Sequence, residues 1–201
     1  MIAIVDYGVS NLRSVQKALE KVGAEAIITD DVAAIRLADG VLLPGVGAFG
    51  DAMEVLNRRG LATALGDVFR AGRPLLGICL GMQLLFEESE EMGRHPGLGF
   101  LPGRVIRFGA GLKVPLIGWN QVHPLRTDGL LNGVQAGDYA YFVHSYYVVP
   151  SDPSIISGTT DYGVDFASVI EQGRVFGIQF HPEKSQDVGL RILKNFATVV
   201  G

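Results

Sequence analysis

The sequence predicts an α/β fold: a mostly parallel sheet with flanking helices, joined in the second half of the chain by a block of antiparallel strands. Three observations predict it. In the first half, short apolar runs alternate with segments of helical period, the pattern of βαβ units. From Arg104 to Ile178 the runs are β-like and separated by Gly, Pro, Asn and Asp turns. A long helical pattern returns only at Asp187–Val200.

Taken in order, "IAIVDY" (Ile2–Tyr7) is a short apolar run closed by Gly8, which suggests a buried strand. Ser10 is placed to cap a helix in which Leu12, Val15, Leu19 and Val22 recur at helical spacing. "AEAIIT" and "GVLLP" are the second and third strands. "FGDAMEVLNRRG" and "LATALGDVFRAG" are helical, each ending at a glycine. "RPLLGI" is the next strand, and "LGMQLLFEE" the helix behind it. The later strands are "RVIRF", "GWNQV", "YAYFVHSYYVV", "SIISGTT", "FASVIEQ" and "VFGIQF". No repeat, low-complexity stretch or linker divides the chain, so residues 1–201 are expected to form a single domain.

Composition narrows the function. With 48% hydrophobic and 19% charged residues the chain is a soluble globular protein with a sizeable core. Its net charge of −4, without a Lys/Arg run, argues against nucleic acid or an anionic membrane as the main partner. One cysteine excludes an internal disulfide and suits a reducing, cytoplasmic setting. No signal peptide is expected at the N-terminus, and no uncharged apolar run reaches the ~18 residues of a membrane span.

That cysteine, Cys79 in "LLGICLGMQLL", is flanked by Gly77 and Gly81 between a strand and a helix. G-x-nucleophile-x-G in that context is a nucleophile elbow: a sharp turn lifts the side chain off the sheet, and the glycines allow close backbone passage and positive φ. The helix start favours the thiolate, and the Leu80 amide faces the reaction centre. The other reading is a small buried hydrophobe. A cysteine nucleophile needs a base and an orienter. Of the four histidines, His95 lies in a Gly/Pro-rich loop and is expected at the surface, His123 is expected to be structural, and His144 packed within an aromatic strand. His181 ends the strand "VFGIQF" and precedes Pro182 and Glu183. In extended backbone i and i+2 share a side, and Pro182 restricts both neighbours. Glu183 can then take the Nδ1 proton and leave Nε2 for the thiol. A loop histidine beside a solvated glutamate is the equal alternative. The glycine-rich turn Pro44–Gly47 in "LLPGVGAFGD" lies at the C-terminal edge of the third strand, the usual ligand side of a parallel sheet, although an ordinary β-to-α turn has the same composition. No Cys/His cluster has metal-ligand spacing and no G-x-G-x-x-G follows the first strand, so neither metal nor organic cofactor is expected.

Together "GICLGMQLL", "HPEKS" and "PGVGAF" resemble the class I (triad) glutamine amidotransferases. "DYGVSNLRSV", "IGWNQV" and "YFVHSYYV" narrow the resemblance to the glutaminase subunits of imidazole glycerol phosphate synthases, across nearly the whole chain. The resemblance implies a flavodoxin-like sheet and hydrolysis of glutamine by Cys79, His181 and Glu183. It implies an oxyanion hole at the amides of Val46 and Leu80, within the Gly45–Gly47 turn and the elbow, and substrate contacts from Gln83, Glu91, Ser145 and Tyr146. It also implies a heterodimer with a (β/α)8-barrel cyclase subunit, which converts PRFAR to imidazole glycerol phosphate and AICAR with the ammonia. Asn11, Trp119, Tyr141 and Lys184 stand at interface or gate positions. Competing readings are a glutaminase subunit of another synthase, such as pyridoxal phosphate synthase, a stand-alone γ-glutamyl cysteine hydrolase, and a binding domain with a degenerate site.

Overall fold

The computed structural model describes residues 1–8 and 11–201. The strands are β1 (Ile2–Val5), β2 (Ala26–Thr29), β3 (Gly40–Leu43), β4 (Leu75–Ile78), β5 (Phe86–Ser89), β6 (His95–Pro96), β7 (Leu101–Arg107), β8 (Leu116–Pro124), β9 (Asp138–His144), β10 (Tyr146–Pro150), β11 (Ile156–Asp161), β12 (Asp165–Gln172) and β13 (Val175–Ile178). The helices are α1 (Leu12–Lys21), α2 (Val32–Leu37), α3 (Phe49–Arg58), α4 (Leu61–Arg70), α5 (Leu80–Leu84) and α6 (Gln186–Val200).

A nine-stranded sheet runs β2-β1-β3-β4-β13-β12-β11-β8-β9. Its first five strands are parallel and the remainder antiparallel. Strands β1, β3 and β4 are apolar and buried throughout because helices cover both faces, whereas the edge strand β2 is only partly buried. On β1, Ala3 and Val5 join a core with α3 and α4, while Ile2 and Ile4 join another with α1 and α6. Helix α1 turns Leu12, Val15, Ala18 and Leu19 inward, as its spacing predicts. A second sheet, β10-β7-β5-β6, packs over the elbow end.

The structure departs from the sequence-based expectations at several places. The helix after Cys79 covers only Leu80–Leu84. Phe86–Ser89 leaves it to pair in parallel with β7, because Phe86 and Ser89 are buried there. Helix α2 was not predicted: its one fully buried residue, Ile35, is too weak a periodic signal. The run "YAYFVHSYYVV" is two strands: β9 stays in the large sheet beside β8, and β10 crosses to β7 of the small one. The N-cap position of α1 is Asn11, and the expected cap Ser10 lies outside the described residues. No helix is long and apolar enough to cross a membrane among the described residues.

Candidate active site

Strand β13 lies beside β4 with Gly177 opposite Gly77 and Ile178 opposite Ile78. The chain segments that leave these strands therefore emerge together, and the Cys79 N–H donates to the Ile178 carbonyl at 2.7 Å. Cys79 itself holds the strained conformation of the turn, with φ 54° and ψ −111°. Of the two roles expected of the flanking glycines, close backbone passage holds, whereas the positive φ falls on Cys79 and not on Gly77 or Gly81. A Cβ on Gly81 would overlap the Leu43 carbonyl oxygen, and one on Gly77 would lie 2.6 Å from the Gly81 oxygen. Gly45 is bound by the same packing: a Cβ there would lie 2.8 Å from the Gly81 nitrogen and 2.7 Å from Tyr7 Oη. The Tyr7 hydroxyl donates to the Pro44 carbonyl at 2.9 Å and so ties the glycine-rich turn to the elbow.

His181 and Glu183 are both buried, and Nδ1 donates to Glu183 Oε1 at 2.9 Å. The contact forms by a different geometry from the one expected. His181 is extended, but Pro182–Lys184 is a short 3-10 turn that folds Glu183 back onto the ring. The backbone of His181 is then pinned from β9: its main-chain N–H donates to the Tyr141 carbonyl, the Tyr141 N–H to Ser185 Oγ, and Ser185 Oγ to the His181 carbonyl. His181 Nε2 closes no hydrogen bond within the described chain. Burial opposes the imidazolium, yet Cys79 and Glu183 outweigh it and raise the ring from 6.5 to about 10. A cationic ring beside the sulfur can supply a proton for a leaving group.

Cys79 opens on a cavity of about 250 Å³, lined by Val46, Gly47, Leu80, Gln83, Glu91, Ser145 and Tyr146 among others. Candidates from four separate stretches of the chain thus line one cavity with the sulfur. Gln83 is buried. Glu91 Oε2 accepts from the Phe49 N–H at 2.7 Å, which anchors the start of α3 at the rim. Ser145 and Tyr146 arrive because the aromatic run breaks between β9 and β10.

A model of the family described as "Glutamine amidotransferase class-I" matches residues 3–200. The chain belongs to the class-I glutamine amidotransferases. It is 55% identical over 199 residues to the imidazole glycerol phosphate synthase subunit HisH of Moorella thermoacetica, covering 99% of this chain and 95% of that one. It is 52% identical to the subunit of that name from Bacillus cereus, covering 100% and 95%. Among solved structures, a crystal structure of a glutamine amidotransferase superposes with a TM-score of 0.80 at 20% identity, over the full length of both chains. A putative GMP synthase subunit from Thermoplasma acidophilum gives 0.74 at 19%, covering 99% of this chain and 92% of that one. These two establish the fold alone.

In this class-I amidotransferase three of the four interface candidates form one outer cluster. Trp119, 47% exposed, meets Tyr141 edge to face at 6.0 Å, and Lys184 Nζ lies 5.6 Å from the Tyr141 ring centre. Asn11 instead reaches inward, and its Nδ2 donates to Glu183 Oε1 at 2.7 Å. His95 is half-buried in β6 against Gly50, not at the surface, because β6 pairs with β5. Sequence reasoning missed Tyr7, Gln179 and Ser185. For Gln179 a signal existed: the two-residue alternation that links His181 to its own strand places Gln179 on the same side. No group of three or more His, Cys, Asp or Glu residues among those described could hold a metal ion.

Proposed function

We propose that this chain is the glutamine-hydrolysing subunit of an imidazole glycerol phosphate synthase, a single amidotransferase domain that works in the cytoplasm in a heterodimer with a (β/α)8-barrel cyclase. The observation that carries the mechanism is the meeting of Cys79 and His181 at the paired ends of β4 and β13, with Glu183 on the far side of the ring. The near full-length likeness to named subunits of that synthase supports the pathway.

In this reading glutamine enters the cavity with its side-chain amide over the sulfur. The Cys79 thiolate attacks the amide carbon, and the oxyanion is met by the amides of Leu80 and Val46. Leu80 is the first residue of α5, so its N–H has no partner within the helix. The His181 imidazolium gives its proton to the leaving nitrogen and ammonia departs. His181, now neutral, takes a proton from water as the water attacks the γ-glutamyl thioester. Glutamate leaves and the thiolate–imidazolium pair is restored. Glu183 holds Nδ1 throughout. Gln83, Glu91, Ser145 and Tyr146 hold the rest of the substrate. Ammonia passes to the cyclase across the face carrying Trp119, Tyr141 and Lys184, where it is consumed in converting PRFAR to imidazole glycerol phosphate and AICAR.

The test is glutamate release from glutamine by the purified chain, with and without a histidine-pathway cyclase subunit and its ligand, beside Cys79→Ala. Low activity alone, a strong rise in the complex and its loss in Cys79→Ala are expected. Hydrolysis that the cyclase does not change would leave the class standing and remove the pathway. Activity that survives Cys79→Ala would remove the mechanism.

A further inference from the structure

Behind the cavity a chain of buried polar groups ends on the reacting sulfur. Gln179 follows β13 as Cys79 follows β4, and it has no exposed surface. Its Nε2 donates to Cys79 Sγ at 3.7 Å. Its Oε1 accepts from Gln83 Nε2 at 3.1 Å. The same Gln83 nitrogen donates to the Tyr146 carbonyl at 2.9 Å, and that carbonyl also receives His144 Nδ1 at 2.9 Å.

The polarity of this chain is set at one end. A backbone carbonyl can only accept, so Gln83 must turn its nitrogen toward Tyr146. That nitrogen also faces Gln179, which must answer with its oxygen. The one remaining side of the Gln179 amide is its N–H, and it points at the sulfur. Reversing either glutamine would set donor against donor or acceptor against acceptor inside a buried, low-dielectric site. Two donors on the Tyr146 carbonyl use both of its lone pairs and hold the reference fixed.

We propose that Gln179 stabilises the Cys79 thiolate, with Gln83 and the Tyr146 carbonyl acting as positioning groups that keep its N–H on the sulfur. The proposal rests on Cys79 being the nucleophile. His181 supplies charge to the thiolate only while it carries its proton. The Gln179 amide is neutral and stays in place after that proton has gone to the leaving group. It therefore stays on the sulfur through the whole cycle, while His181 is neutral and again when His181, reprotonated by the attacking water, faces the departing thiolate.

Cys79 is the only cysteine, so alkylation of the full chain by iodoacetamide, followed across pH without glutamine, reads this sulfur alone. Gln179→Met keeps the volume and removes the donor. The midpoint of the alkylation profile is expected to rise by about one pH unit. The rate below the midpoint should fall roughly tenfold, the loss of one hydrogen bond to a charged group, and kcat should fall in proportion while KM for glutamine holds. A role confined to packing would leave the profile where it was, and an unmoved midpoint in the folded variant overturns the proposal. Gln83→Met, which frees the Gln179 amide to rotate, is the second variant should Gln179→Met not fold. A smaller rise is expected there, and none overturns the relay. Glutamate release by wild type and Cys79→Ala separates the two readings: loss in Cys79→Ala with an unmoved profile in Gln179→Met removes the relay and leaves the nucleophile.

Discussion

The side-chain amide of Asn11 donates to Glu183 Oε1 at 2.7 Å, across 172 residues of sequence and onto the same oxygen that accepts from His181 Nδ1. Asparagine at a helix start ordinarily caps its own helix, but Asn11 makes no side-chain cap. Its donor is spent on the carboxylate that orients the histidine. A residue that resemblance assigns to the interface is thus bonded to the candidate triad itself.

Asn11→Gly tests that bond without backbone strain, since Asn11 has φ 78° and glycine accepts it. A hydrogen bond to a buried charge is worth ~1.5–3 kcal/mol, so kcat for glutamate release should fall about tenfold or more with KM little changed. Steady-state kinetics without the cyclase decide it. A normal rate alone and a lost response to the cyclase would make Asn11 an interface residue only.

The left-handed backbone at Cys79 stores strain of ~1–3 kcal/mol for a residue with a Cβ. Cys79→Gly should therefore be more stable than Cys79→Ala by about that amount, although glycine usually loosens a chain. Urea unfolding of the two inactive variants measures the difference, and an Ala variant of equal or greater stability would contradict it.

Two histidines should shape the pH dependence of stability in separate windows. Burial pushes His144 down to about 4; the Tyr146 carbonyl opposes this and nearby His181 adds to it. The unfolded chain takes up that proton near 6.5 and the folded one does not, so stability falls as pH drops from about 6.5 toward 4, by on the order of 3 kcal/mol in all. His181 is raised, so its contribution is complete below 6.5 and is lost as pH climbs toward about 10. Urea unfolding at pH 7 and 4.5 should show a smaller acid loss in His144→Gln than in wild type.

Val46 stands on the cavity rim and is not among the described residues with positive φ. Turning the preceding peptide so that its N–H meets an oxyanion would carry this β-branched residue toward positive φ, at ~1–3 kcal/mol. Val46→Gly should then raise the glutaminase rate of the partner-free chain, by up to about a hundredfold. An unchanged rate in a folded variant would show that this peptide does not limit the resting enzyme.

The sequence by itself determined the alternating first half, the burial of its strands and the glycine-flanked turn at Cys79, while for His181 and Glu183 it left a contact and a solvated loop pair as equal readings. The determined features follow from local periods and glycine sterics. Only the tertiary structure decided that β13 enters the parallel sheet beside β4, since pairing between strands a hundred residues apart is set by which faces can be buried together. That one placement brings His181 and Gln179 to the sulfur. The split of the aromatic run at Ser145 belongs to the same class: each half reads as a good strand, and only competition between two sheets for its edges breaks it where the cavity needs a wall. Asn11 shows the limit most plainly, because nothing in its neighbours along the chain distinguishes a helix cap from a donor to a buried carboxylate contributed by the other end of the fold.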